Sequence, residues 1–366
     1  MEITDVKTKL VSIPLKKEYV KWTSSKVAHH YRDFSILEIL TDEGEKGVSF
    51  TSSHKGEGST LNLTAYIIQN LREVLVGEDP FATARIMEKM YRMLGRRAGN
   101  VRAIGMVDNA LWDIKGKTLK MPLYKLLGGN RDKVRCYVTG GYYEKDKGLE
   151  DLSKEMAGYV EQGLTAIKMK IGALSVSKDA ERVKAARDAI GPDTDLMADA
   201  NCAYDAYTAI EMGRELEKLG VYFFEEPLPY YDLRGYIRVA AALDIAIAGV
   251  ESENNFYVWR NLMESGAVDI VQPDATVLAG ISEWLRVATL AKAWNLPLAP
   301  HTATEVHAQL AGAVPEVIFV ESIYERLEDE VFAERLEPKN GYFELPKMPG
   351  LGIEFDEKVV EKYLVK

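Results

Sequence analysis

The segment from 195 to 227 reads DLMADANCAYDAYTAIEMGRELEKLGVYFFEEP, and its pattern is that of one strand–helix–strand unit. A short β-rich run ends in Asp199, apolar residues at helical spacing follow from 206 to 219, and a second β-rich run ends in Glu225. Strands and helices that alternate in this way build a parallel sheet. Similar units recur from residue 134 to 320 at intervals of roughly 25–30 residues, and a series of this length predicts a closed barrel.

The predicted barrel strands lie at 135–138, 166–170, 195–199, 222–225, 246–250, 269–272, 298–300 and 317–320. The first part of the chain differs, with strands predicted at 6–13, 34–40 and 48–50 and helices at 61–75, 80–94 and 103–117. Polar stretches at 18–32 and 51–60 read as loops. We therefore predict an α/β protein with a (β/α)7β TIM-type barrel at 126–326 and an α+β capping domain at 1–125. A C-terminal segment at 327–366 would pack back on the capping domain and complete it.

Composition excludes several classes of partner. The formal net charge is −10 and no basic run occurs, so neither nucleic acid nor an anionic membrane surface is expected as a partner. No apolar run approaches the ~18 residues of a membrane span, and the charged start of the chain favours a cytoplasmic protein. The two cysteines, Cys136 and Cys202, form no CxxC pattern, which argues against a disulfide framework or a thiolate zinc site.

Three acids follow successive predicted strands at equal intervals of 26 residues, namely Asp199, Glu225 and Glu251. Side chains at the carboxyl ends of barrel strands point into one shared mouth. Carboxylates that converge there would repel one another unless a cation neutralises them, and oxygen ligands select Mg²⁺, or Mn²⁺, over zinc. Any one of these acids could instead cap the following helix, but three at consecutive strand ends favour a metal site.

Proton carriers follow other strands of the same series. Lys168 and Lys170 are two residues apart on a predicted buried strand, so both side chains lie on the same side of it. Burying a charged side chain there is costly, which favours a functional role for both lysines. We expect Lys170, with its pKa lowered by nearby cations, to be a general base, and Lys168 to neutralise a substrate carboxylate. Asp274 would fix the tautomer of His301 and stabilise its protonated ring, which gives a second proton carrier. Removal of the proton next to the substrate carboxylate would give an enolate, and a protonated Glu321 could donate a hydrogen bond to it. A salt bridge formed by an ionised Glu321 is an equal alternative.

Six motifs carry a resemblance to a known family: Lys-x-Lys at 168–170, Asp-x-Asn at 199–201, Glu-Glu-Pro at 225–227, Gly-x-Glu-Ser at 249–252, Gln-Pro-Asp at 272–274 and Pro-His at 300–301. Together with the helix at 108–113 and the segment at 122–129, they resemble the mandelate racemase-like subgroup of the enolase superfamily. The resemblance implies that Asp199, Glu225 and Glu251 hold Mg²⁺. It also implies that Lys170 is one base and that His301 with Asp274 is the other.

The same constellation serves racemases, epimerases, cycloisomerases and acid-sugar dehydratases. Because the two N-terminal loops are polar, we favour dehydration of an aldonate or hexarate to a 2-keto-3-deoxy acid. The alternatives are a racemase, epimerase or cycloisomerase acting on a 2-hydroxy acid or sugar lactone, an aldolase with a Schiff base on Lys170, and a barrel that only binds a ligand. A homo-oligomer, dimer or octamer, is expected. The residues expected to bind the small carboxylate substrate are Lys168, Asn201, Trp22, His29, His54 and Glu321.

Overall fold

The computed structural model describes residues 1–15, 19–21, 31–54, 60–94, 101–323 and 330–365. The first part contains β1 (Ile3–Pro14), β2 (Tyr19–Lys21), β3 (Tyr31–Thr41), β4 (Lys46–His54), α1 (Thr60–Leu75), α2 (Thr83–Leu94), α3 (Val101–Thr118) and α4 (Leu123–Leu126). The central part contains β5 (Lys133–Gly140), β6 (Tyr143–Glu144), α5 (Leu149–Glu161), β7 (Ala166–Lys170), α6 (Val176–Ile190), β8 (Asp195–Asp199), α7 (Ala206–Lys218), β9 (Phe223–Glu225), α8 (Leu233–Ala240), β10 (Ala246–Gly249), α9 (Phe256–Glu264), β11 (Ile270–Val271), α10 (Ile281–Ala293), α11 (Thr304–Ala313) and β12 (Val320–Ile323). The last part contains β13 (Tyr342–Glu344) and α12 (Glu357–Lys362).

The first domain is an antiparallel sheet in the order β1-β3-β4 with helices on one face. Residues of β3 alternate between its two faces, as a strand period of two requires. Leu37 and Ile39 pack against apolar residues of α1, α2 and α3. Phe34 lies on the other face, within 6.3 Å of Phe332 in the C-terminal segment, measured between ring centroids. The sheet is therefore buried on both sides.

The central sheet is parallel, in the order β11-β10-β9-β8-β7-β5-β12. Single parallel bridges from Val271 to Leu298 and from Leu298 to Val317 close the ring between β11 and the strand that continues into β12. The predicted strand at 298–300 is thus reduced to one bridged residue. Buried side chains such as Tyr137, Phe223 and Phe319 fill the interior of the ring, as in other packed barrels. The α/β barrel and antiparallel capping sheet expected from the sequence are confirmed.

Helix α3 joins the first domain to the barrel. The carboxylate of Asp108 accepts hydrogen bonds from the backbone N–H and the hydroxyl of Ser282, at 2.8 and 2.7 Å, in the first turn of α10. The Asp113 carboxylate accepts the backbone N–H groups of Val48, at 2.9 Å, and Leu351, at 2.8 Å. Asp113 therefore ties β4 and the C-terminal segment to the same helix.

Two stretches that the sequence predicts as loops contain strand residues in the structure. Strand β4 continues to His54, into the polar stretch predicted as a loop, because β3 extends beside it and supplies hydrogen-bond partners. The other predicted loop contains β2, which pairs with β6. The C-terminal segment reaches beyond the first domain, since β13 also pairs with the barrel strand β5. No helix in the described ranges is long and apolar enough to cross a membrane.

Candidate active site at the carboxyl ends of the barrel strands

The predicted site residues lie at the carboxyl ends of the barrel strands, where the backbone takes unusual conformations. Positive φ angles occur at Asn201 (39°), Glu226 (40°), Val250 (64°) and Thr302 (40°), each a residue of the predicted site or its immediate neighbour in sequence. A β-branched residue such as Val250 is rarely found in the left-handed region, at a cost of about 1–3 kcal/mol. Such strain persists only where the surrounding structure holds it, and it accumulates at functional sites.

Lys168 is fully buried at the centre of the cluster. Its Nζ lies 2.5 Å from Glu225 Oε1, 3.0 Å from Glu321 Oε1 and 3.7 Å from Asp199 Oδ2. Burial lowers the pKa of Lys168, but the charges of Glu225 and Glu321 outweigh it and hold the pKa well above the usual value. Lys168 is therefore a fixed positive charge rather than a base.

Lys170 hydrogen-bonds to the carboxylate of Asp199 and, at 2.9 Å, to Asn201 Oδ1. Burial lowers the pKa of Lys170, and the charge of Lys168 acts in the same direction. The carboxylate of Asp199, together with those of Glu225 and Glu321, nevertheless outweighs both, and the pKa of Lys170 is raised. The lowered pKa expected from the sequence supposes a bound metal ion as well as Lys168, and it stays a prediction for the metal-loaded site. In the side chains alone the neighbouring acid pairs directly with the amine.

The three predicted metal ligands have different electrostatic surroundings. Burial raises the pKa of Glu225 to about 8, although Lys168 opposes it. Burial also raises the pKa of Glu251, against the effect of His301. The pKa of Asp199 is lowered, because Lys170 and Lys168 together outweigh its burial. Two of the three acids are therefore short of positive charge.

Within the described part of the chain, no three His, Cys, Asp or Glu side chains already surround one point at metal-ligand distances. Each predicted ligand is instead paired with a cationic side chain, namely Asp199 with Lys170, Glu225 with Lys168, and Glu251 with His301. The donor set still fits a hard divalent cation, since it consists of buried carboxylates on neighbouring strands. Glu251 Oε2 is buried and has no hydrogen-bond partner among the described residues, so it offers a free ligand atom.

His301 forms the predicted pair with Asp274. Its Nδ1 lies 3.0 Å from Asp274 Oδ2, and its Nε2 lies 3.2 Å from Glu251 Oε1. Burial lowers the pKa of His301, but Glu251 and Asp274 outweigh it and raise the pKa to about 9. Burial raises the pKa of Asp274, but its hydrogen bond with His301 and other favourable contacts outweigh burial and lower the pKa to about 2. At neutral pH the pair is an imidazolium beside a carboxylate.

Glu321 takes the salt-bridge alternative. Its Oε1 accepts a hydrogen bond from the Thr139 hydroxyl at 2.5 Å, and its Oε2 accepts the backbone N–H of Thr302 at 2.9 Å. Burial raises the pKa of Glu321, but the charges of Lys168 and His301 outweigh it and lower the pKa. These contacts and the lowered pKa favour the salt-bridge alternative, and hydrogen-bond donation from a protonated Glu321 stays a prediction.

Two further buried groups belong to the site and were missed. Gln272 donates a hydrogen bond from Nε2 to Glu225 Oε2 at 2.7 Å. His307 on α11 lies 3.8 Å from Asp274 Oδ1, measured from its Nε2. The signal for Gln272 was its place in the Gln-Pro-Asp motif, whereas nothing in the sequence distinguishes His307 from a structural histidine.

The predicted substrate-binding residues are only partly described. Asn201 lies beside Lys170, and Lys168 and Glu321 lie in the cluster. Trp22, His29 and the side chain of His54 lie outside the described residues. Of the polar lid stretch, the guanidinium of Arg32 hydrogen-bonds to the Ser52 hydroxyl at 2.8 Å. Both residues line a small cavity next to Thr302, the neighbour of His301.

Chemically, the site places two proton carriers on different sides of a group of buried acids. Lys170 ends the second strand of the ring, and His301 follows the bridged residue Leu298 of the seventh. A substrate carboxylate held between them would have its α-carbon accessible to either carrier. This arrangement suits proton transfer at a carbon next to a carboxylate.

Comparison with known proteins agrees with this geometry. Residues 7–128 match the mandelate racemase/muconate lactonizing enzyme N-terminal domain, and residues 151–359 match the enolase C-terminal domain-like family. The chain is 39% identical to arabinonate dehydratase of Saccharolobus solfataricus over 93% of each protein. It is 34% identical to D-galactarolactone cycloisomerase of Agrobacterium fabrum over 99% of each.

A solved structure has the same fold along the whole length of this chain. L-talarate/galactarate dehydratase of Salmonella typhimurium, liganded with Mg and L-lyxarohydroxamate, superposes with a TM-score of 0.91 at 34% identity. The match covers 100% of this chain and 93% of that one. The chain therefore belongs to the enolase superfamily, as a member of its mandelate racemase/muconate lactonizing enzyme family.

Proposed function

We propose that this protein is a Mg²⁺-dependent acid-sugar dehydratase that converts an aldonate or hexarate into a 2-keto-3-deoxy acid. The observation that carries the proposal is the presence of two proton carriers, the buried Lys170 and the half-buried His301 with its partner Asp274, beside one group of carboxylates. The similarity in sequence to arabinonate dehydratase, and in sequence and structure to L-talarate/galactarate dehydratase, supports this class of substrate.

Asp199, Glu225 and Glu251 are the proposed Mg²⁺ ligands. The ion supplies positive charge that stabilises an enolate, the costly intermediate of this reaction. Lys168 adds a fixed positive charge for the substrate carboxylate, and Gln272 orients Glu225 through their hydrogen bond. Mn²⁺ has the same preference for oxygen ligands and remains an alternative.

In the side chains alone both carriers hold a proton, so the one that acts as the base must first give its proton up. Lys170 can do so once it no longer pairs with Asp199. Lys170, or His301, removes the α-proton, and the C–H electron pair moves into the enolate. The C–O bond at the β-carbon then breaks, and the hydroxyl leaves as water with a proton from His301. The resulting enol gains a proton at the β-carbon and loses the proton of its enol hydroxyl, which gives the 2-keto-3-deoxy acid. A His301 pKa of about 9 suits a group that must carry a proton at neutral pH.

Cycloisomerisation is the second candidate, because one relative that the chain matches almost end to end is a cycloisomerase. In that reaction a group within the substrate is displaced or adds at the β-carbon and no water leaves. The residues that form the enolate would be the same, so only the product separates the two reactions. The same holds for a racemase or epimerase, in which the enolate is reprotonated.

A product screen tests the proposal. The protein with Mg²⁺ is incubated in D₂O with a library of aldonates, hexarates and sugar lactones, and 2-keto acid and α-deuterium are both measured. Keto acid from one or a few diastereomers of an open-chain aldonate or hexarate is the expected result. Exchange or inversion without keto acid would overturn dehydration in favour of a racemase or epimerase, and ring opening would favour a cycloisomerase. A homo-oligomer and a cytoplasmic location stay predictions.

A further inference from the structure

The short turn that follows Asp274 is held by three buried side chains from other parts of the chain. The Ala275 N–H donates to Nε2 of His307 at 3.0 Å. The Ala275 carbonyl accepts a hydrogen bond from Asn109 Nδ2 at 3.1 Å, and the Thr276 carbonyl accepts one from the Thr51 hydroxyl at 3.0 Å. His307 and Thr51 are 0% exposed and Asn109 is 1% exposed, so water cannot replace these contacts.

This turn sets the direction of the Asp274 carboxylate. Thr276 donates both its backbone N–H, at 2.6 Å, and its hydroxyl, at 2.8 Å, to Asp274 Oδ1. Oδ2 is thereby left for His301, at 3.0 Å. Any displacement of the turn would rotate the carboxylate and lengthen the bond to the imidazole.

The His307 ring also contacts the chain beside His301. Its Nδ1 lies 2.6 Å from the Thr302 carbonyl. Because the Ala275 N–H donates to Nε2, the ring proton must sit on Nδ1, and the ring is neutral. Thr302 and Ala303 have positive φ angles of 40° and 39°, which they keep only if they are held in place. One imidazole therefore connects the turns next to both members of the pair.

We propose that His307, Asn109 and Thr51 are positioning residues for the His301–Asp274 pair. Asn109 lies on α3 and Thr51 on β4, so the first domain takes part in holding the acid side of the reaction. Asn109 also accepts the backbone N–H of Ile281 at 2.9 Å, which fixes both ends of the loop that leads from the turn into α10. The inference rests on the proposed function for its kinetic test but not for its spectroscopic one.

Two substitutions and one matched control separate positioning from folding. His307→Phe keeps a ring and removes both hydrogen bonds. Thr51→Val keeps the shape and removes the hydroxyl, whereas Thr51→Ser keeps the hydroxyl and serves as the conservative control. If His307→Phe does not fold, the Thr51 pair still decides the question.

The kinetic measurement is the rate of keto acid formation relative to α-deuterium exchange in D₂O, with the Mg²⁺-loaded enzyme and the acid sugar found by the screen. We expect His307→Phe to lower kcat for keto acid by roughly 10- to 100-fold, with little change in KM and with exchange through Lys170 retained. Thr51→Val should lose less, and Thr51→Ser should match the wild type. Equal losses of both rates in step with the folded fraction would overturn the proposal, as would unchanged rates.

The spectroscopic measurement needs no turnover. In protein labelled with ¹⁵N-histidine, His307 should show a protonated Nδ1 and an unprotonated Nε2. The Nδ1 resonance of His301 should change in His307→Phe and Thr51→Val but not in Thr51→Ser. A protonated Nε2 on His307, or an unchanged His301 resonance, would refute the positioning role. If the wild type converts no acid sugar, the proposed function fails and this measurement still decides the inference.

Discussion

Replacing Asp274 by Asn gives a sharp test of the His301 role, because the geometry dictates how the new side chain must lie. Oδ1 of Asp274 accepts the backbone N–H of Thr276 at 2.6 Å, and a backbone N–H can only donate. The amide oxygen must therefore face Thr276, and the amide NH₂ must face Nδ1 of His301. The variant thus presents a donor where the wild type presents an acceptor.

The consequence is the wrong tautomer of His301. With a donor facing it, Nδ1 has to accept, so the ring keeps its proton on Nε2 and resists a second one. The His301 pKa is raised from 6.5 to about 9 by Glu251 first and Asp274 next, against burial. That rise corresponds to roughly 3 kcal/mol in total, of which Asp274 supplies a part. Since positioned acid–base groups contribute on the order of 10²- to 10⁴-fold, we expect kcat for keto acid to fall by that factor.

The assay compares Asp274→Asn with His301→Asn and the wild type. Keto acid formation, α-deuterium exchange and thermal unfolding are measured for each, with Mg²⁺ present. Both variants should fold and lose dehydration to a similar extent. Turnover of Asp274→Asn within threefold of the wild type would refute the tautomer argument, because the structure leaves the amide no other orientation.

Other changes test other parts of the site. Lys170→Ala should abolish keto acid formation, a loss of at least about 10²-fold, with an unchanged circular dichroism spectrum; full activity would sink the two-base scheme. EDTA should remove activity and Mg²⁺ should restore it, whereas activity in EDTA with lysine trapped by borohydride would indicate an aldolase. Lys168→Met leaves buried acids without their cation and should lower the free energy of unfolding by about 3–5 kcal/mol in urea without added metal; an unchanged value would contradict this. Burial raises the pKa of Asp108 to about 6, so the stability that this carboxyl contributes is lost as pH rises through 6. Asp108→Asn should therefore gain about 2 kcal/mol relative to the wild type between pH 4 and pH 8 in urea unfolding, and no change would refute the raised pKa.

The barrel was predictable because its signals are local and repeated. The strand bounds 166–170 and 195–199 agree with β7 and β8, since each run is short, contains buried apolar residues and ends in a charged residue. The strand at 298–300 was less predictable, because its hydrogen bonds depend on neighbours that lie far away in sequence. The same reason explains β4, whose last residues look like a loop until β3 is placed beside them.

The residues that form the site could also be predicted from the sequence, because the carboxyl ends of barrel strands converge whatever side chains they carry. By contrast, the sequence did not predict most of the pairings between the charged side chains of the site. Sequence places Lys170 near other cations and predicts a low pKa, but in the side chains alone the direct contact with Asp199 reverses the direction. Likewise Glu321 could be a donor or an ion-pair partner, and only the structure shows that Lys168 and Thr139 contact its oxygens. Which oxygen faces which nitrogen is decided by differences in interatomic distance of about 1 Å, and the spacing of residues along the chain does not predict such differences.

The charge balance of the mouth provides a physical reason for a divalent cation. Among the predicted site residues, five carboxylates face three cationic side chains. The acids are Asp199, Glu225, Asp274 and Glu321, which are buried, and Glu251, which is half-buried; the cations are Lys168, Lys170 and His301. With all of them ionised, the group carries two excess negative charges in a region where unpaired charge is costly. Burial raises the pKa values of Glu225 and Glu251, so in the protein alone protons relieve part of this excess. One Mg²⁺ would cancel the two charges without protons and would release Lys170 from its competition for Asp199, which is the state that a base requires.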